Sequence, residues 1–443
     1  MTMNSNWDWV TYTPEGFVSG SKDGIDKLVH FVSGMEIIDA NQMYDFIYRP
    51  DIIAQTFSSS GKSASENSPV TFSDIIDTGK APEVFFENSS AIPKSRDMTV
   101  YFTVQDRGGG IGNVYLSING KIIQIAEGTR KLQFISADTG IQSKAGGKVV
   151  QYSHTITLQN GDNIIEAYAT NAAKKIDSRH ASAKLYWEGA TGKPSLYVLS
   201  VGINKYRDRS LWLEYSVPDA KSVAQSFSSQ KTSLYQNIHT FELLDGDVTK
   251  QNLSKKFKEI SYLVHPDDIF VLFIAGHGTT SKKTGDYYFI PSNFLYTDSD
   301  AIIAQGISKN DIMGYMQDIR AGKTLIMLDT CNSGAFSNNS QTRGFDEKEA
   351  IKRLVHATGQ AVLMASSETQ TAMEGYNGHG IFTYILLEAL NGKADINKDG
   401  YTTISELASY IEYEVPERSY EKWGYSQVPM KELHKQDFPL IGK

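Results

Sequence analysis

The 443-residue sequence contains a single cysteine, Cys331, no excess of positive charge and no long apolar run. One cysteine cannot form an internal disulfide or a thiolate-rich zinc site, so nothing indicates an oxidising compartment. The 43 basic and 51 acidic residues give a net charge of −8, which leaves no basic footprint of the kind that nucleic-acid binding needs. No stretch approaches the roughly 18 apolar residues of a membrane span, and the first residues lack the features of a secretion signal. We therefore expect a cytoplasmic protein that binds neither nucleic acid nor membrane.

Changes in hydrophobic periodicity divide the first half of the chain into three predicted segments. Residues 1–56 mix short alternating runs with a helix-like stretch, and the serine-rich residues 57–80 predict an exposed linker. Residues 81–188 contain about seven alternating runs, separated by turn sequences such as Asn119-Gly120. This pattern predicts an all-β immunoglobulin-like sandwich. It carries no constellation of reactive side chains, so we expect a spacer or a surface that binds a protein partner.

The segment 195–443 has a different pattern, in which continuous apolar runs such as SLYVLSVG, DIFVLFIAGHG and KTLIMLDTC are separated by amphipathic helical stretches. Continuous apolar strands that alternate with helices predict an α/β domain, with a mostly parallel sheet sandwiched by helices. In such sheets, functional residues collect at the carboxyl ends of the strands.

Two reactive side chains lie at such strand ends, His277 in AGHG and Cys331 in DTCNSG. If the two strands are neighbours, the histidine can take the proton of the thiol and activate it as a nucleophile. The alternative is that neither residue is catalytic, with Cys331 a small buried side chain and His277 a structural loop histidine. The two residues are 54 positions apart, near the separation of about 50 that is described for caspase-type cysteine peptidases.

Several motifs together resemble the caspase-like cysteine peptidases of clan CD (peptidase C14), and among them the metacaspases and orthocaspases. They are LSVGINKY, SVPDAKSVA, AGHG, DTCNSG and EGYNGHGIFTYILLEALNGKAD. The N-terminal pieces WVTYTPEGFVSGSKDG and FIYRPDIIA are similar to segments that join a β-propeller to a caspase-like domain in bacterial proteins, although no propeller repeats are present.

The resemblance implies a caspase-like domain that uses a Cys/His dyad and needs no cofactor for its chemistry. It makes Cys331 the nucleophile and His277 the general acid and base. The backbone N–H groups of Gly278 and Cys331 are then the oxyanion donors. The second His-Gly pair contains His379, which precedes a helix-like run instead of following a strand, and we interpret it as structural.

The same resemblance implies the substrate preference, because it places acids in the primary specificity pocket at Asp219 and Asp329. Ser216 and Ala275 fall on further pocket positions. Two carboxylates favour a long basic side chain, so the prediction is cleavage of proteins or peptides after Arg or Lys. The alternative for Asp329 is a carboxylate that accepts local backbone N–H groups. Arg343 follows the nucleophile in a loop, and it is either a self-cleavage site or an ordinary surface arginine.

Residues 395–406, DINKDGYTTISE, match the twelve-residue calcium loop of EF-hands, with helix-like segments on both sides. The predicted calcium ligands are Asp395, Asn397, Asp399, the backbone carbonyl of Tyr401, and Glu406. Only one such loop is present, whereas EF-hands usually pair. The alternative is a turn rich in aspartate and glycine that binds no metal.

The sequence thus favours a cysteine endopeptidase that cleaves after basic residues. The alternative from a different class is a catalytically inactive caspase-like scaffold that binds peptides through the same pocket. The presence of both Cys331 and His277 favours the peptidase. A nucleotide-binding α/β protein fits less well, because no glycine-rich phosphate loop follows the first strand of the segment 195–443.

Overall fold

The computed structural model describes residues 2–5, 8–49, 52–53, 56, 71–87, 92–125, 148–189, 192–230, 234–281, 286–298, 300–332, 361–365, 373–433 and 437–442. The chain forms two compact units, Met1–Gly189 and Ala190–Lys443. In the described part of the chain, no helix is both long enough and apolar enough to cross a membrane.

The first unit begins with short strands and helices around a small core. Strands β1 to β3 form one antiparallel sheet, and β4 and β5 form a hairpin. Their bounds are Thr2–Met3, Trp9–Tyr12, Val18–Gly20, His30–Ser33 and Glu36–Asp39. The helices of this region are Lys22–Leu28 (α1, between β3 and β4), Ala40–Met43 (a 3₁₀ turn), Tyr44–Ile47 (α2) and Phe72–Ile76 (α3).

The described end of the predicted 57–80 linker contains structure instead of an exposed coil. Helix α3 begins after Thr71, whose side chain accepts the backbone N–H of Asp74 while the Asp74 carboxylate accepts the N–H of Thr71. Ile75 in this helix is fully buried in the same core as Val10. The linker prediction is therefore wrong for residues 72–76, because a capped helix buries its apolar face there.

The described strands between residues 83 and 187 form the β-sandwich that the alternating pattern predicts. One sheet has the order β10-β7-β6 and the other β12-β11-β8-β9, all antiparallel. Side chains of both sheets share one core, which includes Phe102 and Leu116. Asn119 and Gly120 have φ of 52° and 90°, which matches the tight hairpin turn expected of Asn-Gly. The strands are Glu83–Phe86 (β6), Asp97–Gln105 (β7), Val114–Ile118 (β8), Lys121–Ile125 (β9), Val149–Thr157 (β10), Gly161–Ala169 (β11) and Ala181–Trp187 (β12).

The second unit is built on a central sheet with the order β14-β13-β15-β18-β19-β21. The first five strands are parallel and β21 is antiparallel, which confirms the predicted mostly parallel sheet. The strands are Leu196–Gly202 (β13), Ile238–Leu244 (β14), Ile269–Thr280 (β15), Tyr287–Phe289 (β16), Ile307–Ser308 (β17), Lys323–Asn332 (β18), Ala361–Met364 (β19), Tyr401–Thr403 (β20), Met430–Glu432 (β21) and Pro439–Gly442 (β22). β16 and β17 extend the sheet beside the end of β15, and β20 pairs with β22.

Helices cover both faces of this sheet. They are Ser216–Ser228 (α4), Lys250–Ser261 (α5), Asp300–Gln305 (α6), Lys309–Asp318 (α7), Ile381–Glu388 (α8) and Ile404–Trp423 (α9), with 3₁₀ turns at Arg209–Leu211 and Asp245–Asp247 and a π-helical turn at Ala389–Lys393. Successive side chains of β13 separate into two cores: Leu199 packs with α5 and α7, and Val198 packs with α4, α8 and α9. This is the sandwiched sheet that the continuous apolar strands predict.

Candidate active site

His277 and Cys331 are direct neighbours across two parallel strands. β15 and β18 pair in register from Ile269 and Lys323 onward, and this register matches His277 with Cys331. Neighbouring strands of a sheet lie about 4.8 Å apart. The sheet therefore brings together the two residues that the sequence predicts as a dyad, at the carboxyl end of both strands.

The His277 side chain is buried and oriented by a backbone carbonyl. Its Nε2 lies 2.8 Å from the carbonyl oxygen of Leu211, which can only accept, so Nε2 carries the proton in the neutral ring. The buried Nδ1 has no hydrogen-bond partner among the described residues. Burial lowers the pKa of His277 to about 4, although the Leu211 carbonyl partly opposes this shift. The ring is therefore neutral at pH 7, with a bare Nδ1 that can accept a proton.

Tyr206 holds the backbone of the histidine. Its hydroxyl accepts the His277 N–H at 2.8 Å, and its ring lies 5.0 Å from the imidazole. Gly276 makes this contact possible, since a Cβ at this position would lie 2.7 Å from the Tyr206 hydroxyl. The glycine also has a φ of 154°, at the edge of the range that side chains rarely adopt.

Asp219 and Asp329, which we call the acidic pair, lie together beside the start of α8. A Cβ on Gly380 would lie 3.1 Å from Oδ2 of Asp329 and 3.2 Å from Oδ2 of Asp219. Both carboxylates are buried, with residue exposures of 7% for Asp329 and 3% for Asp219. The structure thus brings together, from α4 and β18, the two acids that the sequence places in one pocket.

Each member of the acidic pair accepts hydrogen bonds from the segment that leads into α8. Asp219 accepts Nδ1–H of His379 at 2.6 Å and the N–H of Gly380 at 3.1 Å. Asp329 accepts the hydroxyl of Thr383. The donors to Asp329 and Asp219 lie at the N-terminus of α8, where negative charge is stabilised.

Burial governs the charge of these acids. Burial raises the pKa of Asp219, and the hydrogen bonds from His379 and Gly380 partly oppose this rise. Burial, followed by the negative charge of Asp219, raises the pKa of Asp329 to about 7. The same two causes raise the pKa of Glu374 to about 7. A cation that entered this site would remove much of the cost of charging the acids.

Ser216 and Ala275 also lie near the acidic pair, as the sequence predicts. Ala275 is buried and pairs with Asp329 on one side and with Gly202 on the other. Ser216 is the first residue of α4 and is buried. The helix approaches β13 closely because Gly202 has no side chain: a Cβ there would lie 2.4 Å from the Ser216 carbonyl oxygen.

Two predictions remain untested at this site. Arg343, the proposed self-cleavage residue, lies outside the described residues. The N–H groups of Gly278 and Cys331 remain the predicted oxyanion donors. Gly278 pairs with Asn332 and Phe289, at the point where β15 is flanked by β18 and β16.

The predicted calcium loop forms a turn between α8 and α9 that is closed by its own hydrogen bonds. The carboxylate of Asp395 accepts the N–H of Gly400 at 3.1 Å, and Asp399 accepts that of Tyr401 at 2.8 Å. Glu406 caps α9 by accepting the N–H of Thr403 at 2.9 Å. Among the described residues, which include the whole loop, no three His, Cys, Asp or Glu side chains are grouped to hold a metal. Calcium binding by this loop stays a prediction.

Sequence reasoning missed three residues that contact the acidic pair, His379, Gly380 and Thr383, and a fourth that is electrostatically coupled to it, Glu374. They all lie in or beside the EGYNGHGIFTY motif, which the resemblance includes without assigning these roles. Threonine and glycine at a helix start are common capping residues, so the motif alone did not indicate that they bind distant carboxylates.

Three comparisons relate the chain to known proteins, and one of them identifies its family. The family model of the caspase domain, Peptidase_C14, matches residues 196–440, whereas no curated protein matches the chain. Protein GSU0716 from Geobacter sulfurreducens is 14% identical, with 56% of this chain and 97% of that chain covered and a TM-score of 0.38. Caspase-1 from Spodoptera frugiperda is 12% identical, with 55% and 88% covered and a TM-score of 0.34. Both TM-scores are too low to support a structural inference. The family match covers more than half of the chain, and the chain therefore belongs to the caspase domain family, Peptidase_C14.

Proposed function

We propose that the protein is a cysteine endopeptidase in which Cys331 is the nucleophile and His277 is the general acid and base. The observation that carries this proposal is the register of β15 and β18, which makes the two residues direct neighbours. The environment of His277 supports it, because Nε2 is committed to the Leu211 carbonyl and the neutral ring keeps Nδ1 as a proton acceptor.

In the proposed reaction, Nδ1 of His277 takes the thiol proton as the Cys331 sulfur attacks the carbonyl carbon of the scissile bond. The C–N bond then breaks, and the amine product leaves with the proton from Nδ1. A water gives a proton to Nδ1 and attacks the thioester, which releases the carboxylic acid and restores the thiol. In both steps, the predicted N–H groups of Gly278 and Cys331 stabilise the negative oxygen of the tetrahedral intermediate.

The acidic pair is the proposed determinant of cleavage after Arg or Lys. Two buried carboxylates, with Glu374 electrostatically coupled to Asp219, favour a cationic side chain and leave an acidic one unpaired. The same acids support the proposed likeness to metacaspases and orthocaspases. A protein partner of the β-sandwich stays a prediction.

The test is hydrolysis of fluorogenic peptides that end in Arg, Lys or Asp before the reporter group. We expect cleavage after Arg and Lys, loss of activity in Cys331→Ala, and a kcat lower by roughly 10²–10⁴-fold in His277→Ala. His239→Ala is the matched histidine control, since His239 stacks on Tyr197 in the same sheet, and it should keep wild-type kcat.

Other outcomes separate the parts of the proposal. Cleavage only after Asp would contradict the role of the acidic pair but keep the dyad. Equal activity in the wild type and Cys331→Ala would refute the nucleophile. A folded protein that binds these peptides and cleaves none of them would favour the alternative function, an inactive caspase-like scaffold.

A further inference from the structure

His379 is the basic side chain that contacts the acidic pair within the described part of the chain. Its Nδ1 lies 2.6 Å from Oδ1 of Asp219, which is the hydrogen-bond length of a strong, charge-assisted contact. It occupies one oxygen of the carboxylate that the proposed function assigns to a substrate's basic side chain. The other oxygen, Oδ2, accepts the Gly380 N–H.

A tight turn places the His379 ring at this carboxylate. Tyr376 and His379 exchange backbone hydrogen bonds of 2.8 and 3.1 Å, and the two residues between them, Asn377 and Gly378, have φ of 51° and 85°. Two successive positive φ values define a two-residue turn that asparagine and glycine favour. The sequence Tyr-Asn-Gly-His therefore specifies a rigid turn, and helix α8 begins immediately after it.

Exposure shows which partner an incoming group meets first. The side chain of His379 is 20% exposed, whereas that of Asp219 is 4% exposed. A side chain that approaches Asp219 from solvent therefore meets a carboxylate that is shielded and already bound to an imidazole.

Charged groups approach the turn from each neighbouring element. Besides Asp219 of α4, they are Asp329 of β18, Glu374 and Glu214 in the adjoining loops, and Lys422 of α9. Lys422 donates to the Gly375 carbonyl at 2.6 Å and lies over aromatic rings. It is therefore engaged at the turn itself, and the other ionisable groups named here are carboxyl groups.

We propose that His379 is a specificity-determining residue that occupies Asp219 in the free protein and must be displaced by the basic side chain of a substrate. This inference rests on the proposed function, because it assigns Asp219 to substrate binding. The imidazole donor and a substrate cation compete for the same carboxylate, so removal of the imidazole should strengthen the binding of a basic ligand.

The probe for the test is benzamidine, a small planar cation, with the neutral benzamide as its matched control. Dissociation constants are measured by calorimetry on the full chain at about pH 8, above the pKa of about 7 of Asp329. The variants are His379→Ala, which removes the donor, and His379→Asn, whose amide keeps a donor near the Nδ1 position.

We expect benzamidine to bind His379→Ala about tenfold more tightly than the wild type, because the resident hydrogen bond to Asp219, which contributes about 1.4 kcal/mol, is absent. His379→Asn, which keeps a donor, should bind benzamidine with an affinity close to that of the wild type. In the wild type, saturation with benzamidine should shift the ring ¹⁵N resonances that are missing from the spectrum of His379→Asn.

The outcomes distinguish this inference from the proposed function. Benzamidine binding with unchanged His379 resonances, and with the same affinity in the wild type and His379→Ala, would overturn the inference and leave the proposed acidic pocket intact. Absence of benzamidine binding in the wild type and both variants would overturn both. If His379→Ala does not fold, the His379 resonances of the wild type decide: a shift on saturation with benzamidine supports the inference, and no shift overturns it.

Discussion

Replacement of Asp329 by asparagine should stabilise the protein at high pH while it impairs the proposed cleavage after basic residues. The substitution keeps the shape of the side chain and an oxygen that can accept the Thr383 hydroxyl. It also removes a buried group that is unfavourable to ionise, since burial and the charge of Asp219 raise the pKa of Asp329 from 3.8 to about 7.

The sign and size of the effect follow from proton linkage. A carboxyl group with a raised pKa in the folded state contributes stability below 3.8 that is lost as the pH rises through about 7. At about 1.36 kcal/mol per pKa unit, the cost at pH 8 is on the order of 4 kcal/mol. Asp329→Asn does not incur this cost. The variant should match the wild type near pH 4 and exceed its free energy of unfolding at pH 8.

The assay is urea unfolding of both proteins across this pH range, together with peptide cleavage. Asp311→Asn is the control with the opposite sign. Burial would raise the pKa of Asp311, but hydrogen bonds from Lys250 and Ser308 outweigh it and lower the pKa. That variant should lose stability at pH 8. A difference between Asp329→Asn and the wild type that does not change with pH, or a stability loss at pH 8, would refute the reasoning.

Three further predictions concern the supports of the site. Tyr206→Phe leaves a buried backbone N–H without its acceptor, so it should cost about 1–3 kcal/mol of stability and lower kcat. Tyr197→Phe removes a hydrogen bond far from the dyad, so it should lower stability without lowering kcat. Equal kcat values in the two variants would contradict this prediction. Gly202→Ala should lower the melting temperature and the rate of cleavage, because its Cβ would clash with the Ser216 carbonyl. A wild-type melting temperature and cleavage rate would contradict this prediction, because they would show that α4 can move away without loss of stability or activity. Millimolar calcium should raise the melting temperature of the wild type but not of Glu406→Gln, and an equal rise in both would contradict the predicted loop.

The strands of the second unit could be predicted because each is a continuous apolar run that ends in a small-residue turn. The run DIFVLFIAGHG predicts β15, and KTLIMLDTC predicts β18. The register between them could not be predicted, because both faces of these strands are apolar and a shifted pairing would bury the same kinds of side chain. The proposed dyad residues His277 and Cys331 could be named from their strand ends and from the family resemblance, and only the register shows that they are neighbours.

Helix α3 and the contacts of the acidic pair were not predicted, because the sequence features that specify them are short or lie far apart in the chain. Thr71 and Asp74 form a capping box that the spacing Thr-Phe-Ser-Asp could have indicated, but the neighbouring serines suggested a linker. The contact of Asp219 with His379 joins residues 160 positions apart. It depends on a two-residue turn and on the start of α8, which periodicity does not relate to α4.

The same physical cause sets the charge of both halves of the site. Burial penalises the charged form of any group, so it lowers the pKa of His277 to about 4 and raises that of Asp329 to about 7. The stability that His277 contributes is present above pH 6.5 and is lost as the pH falls through about 4. Between these values both groups are mostly uncharged, and the histidine is ready to accept a proton. In the proposed peptidase, a basic side chain that reaches the acidic pair offsets the burial cost and favours the charged carboxylate. Substrate binding would then charge Asp329 at a pH where this residue is mostly neutral in the free protein.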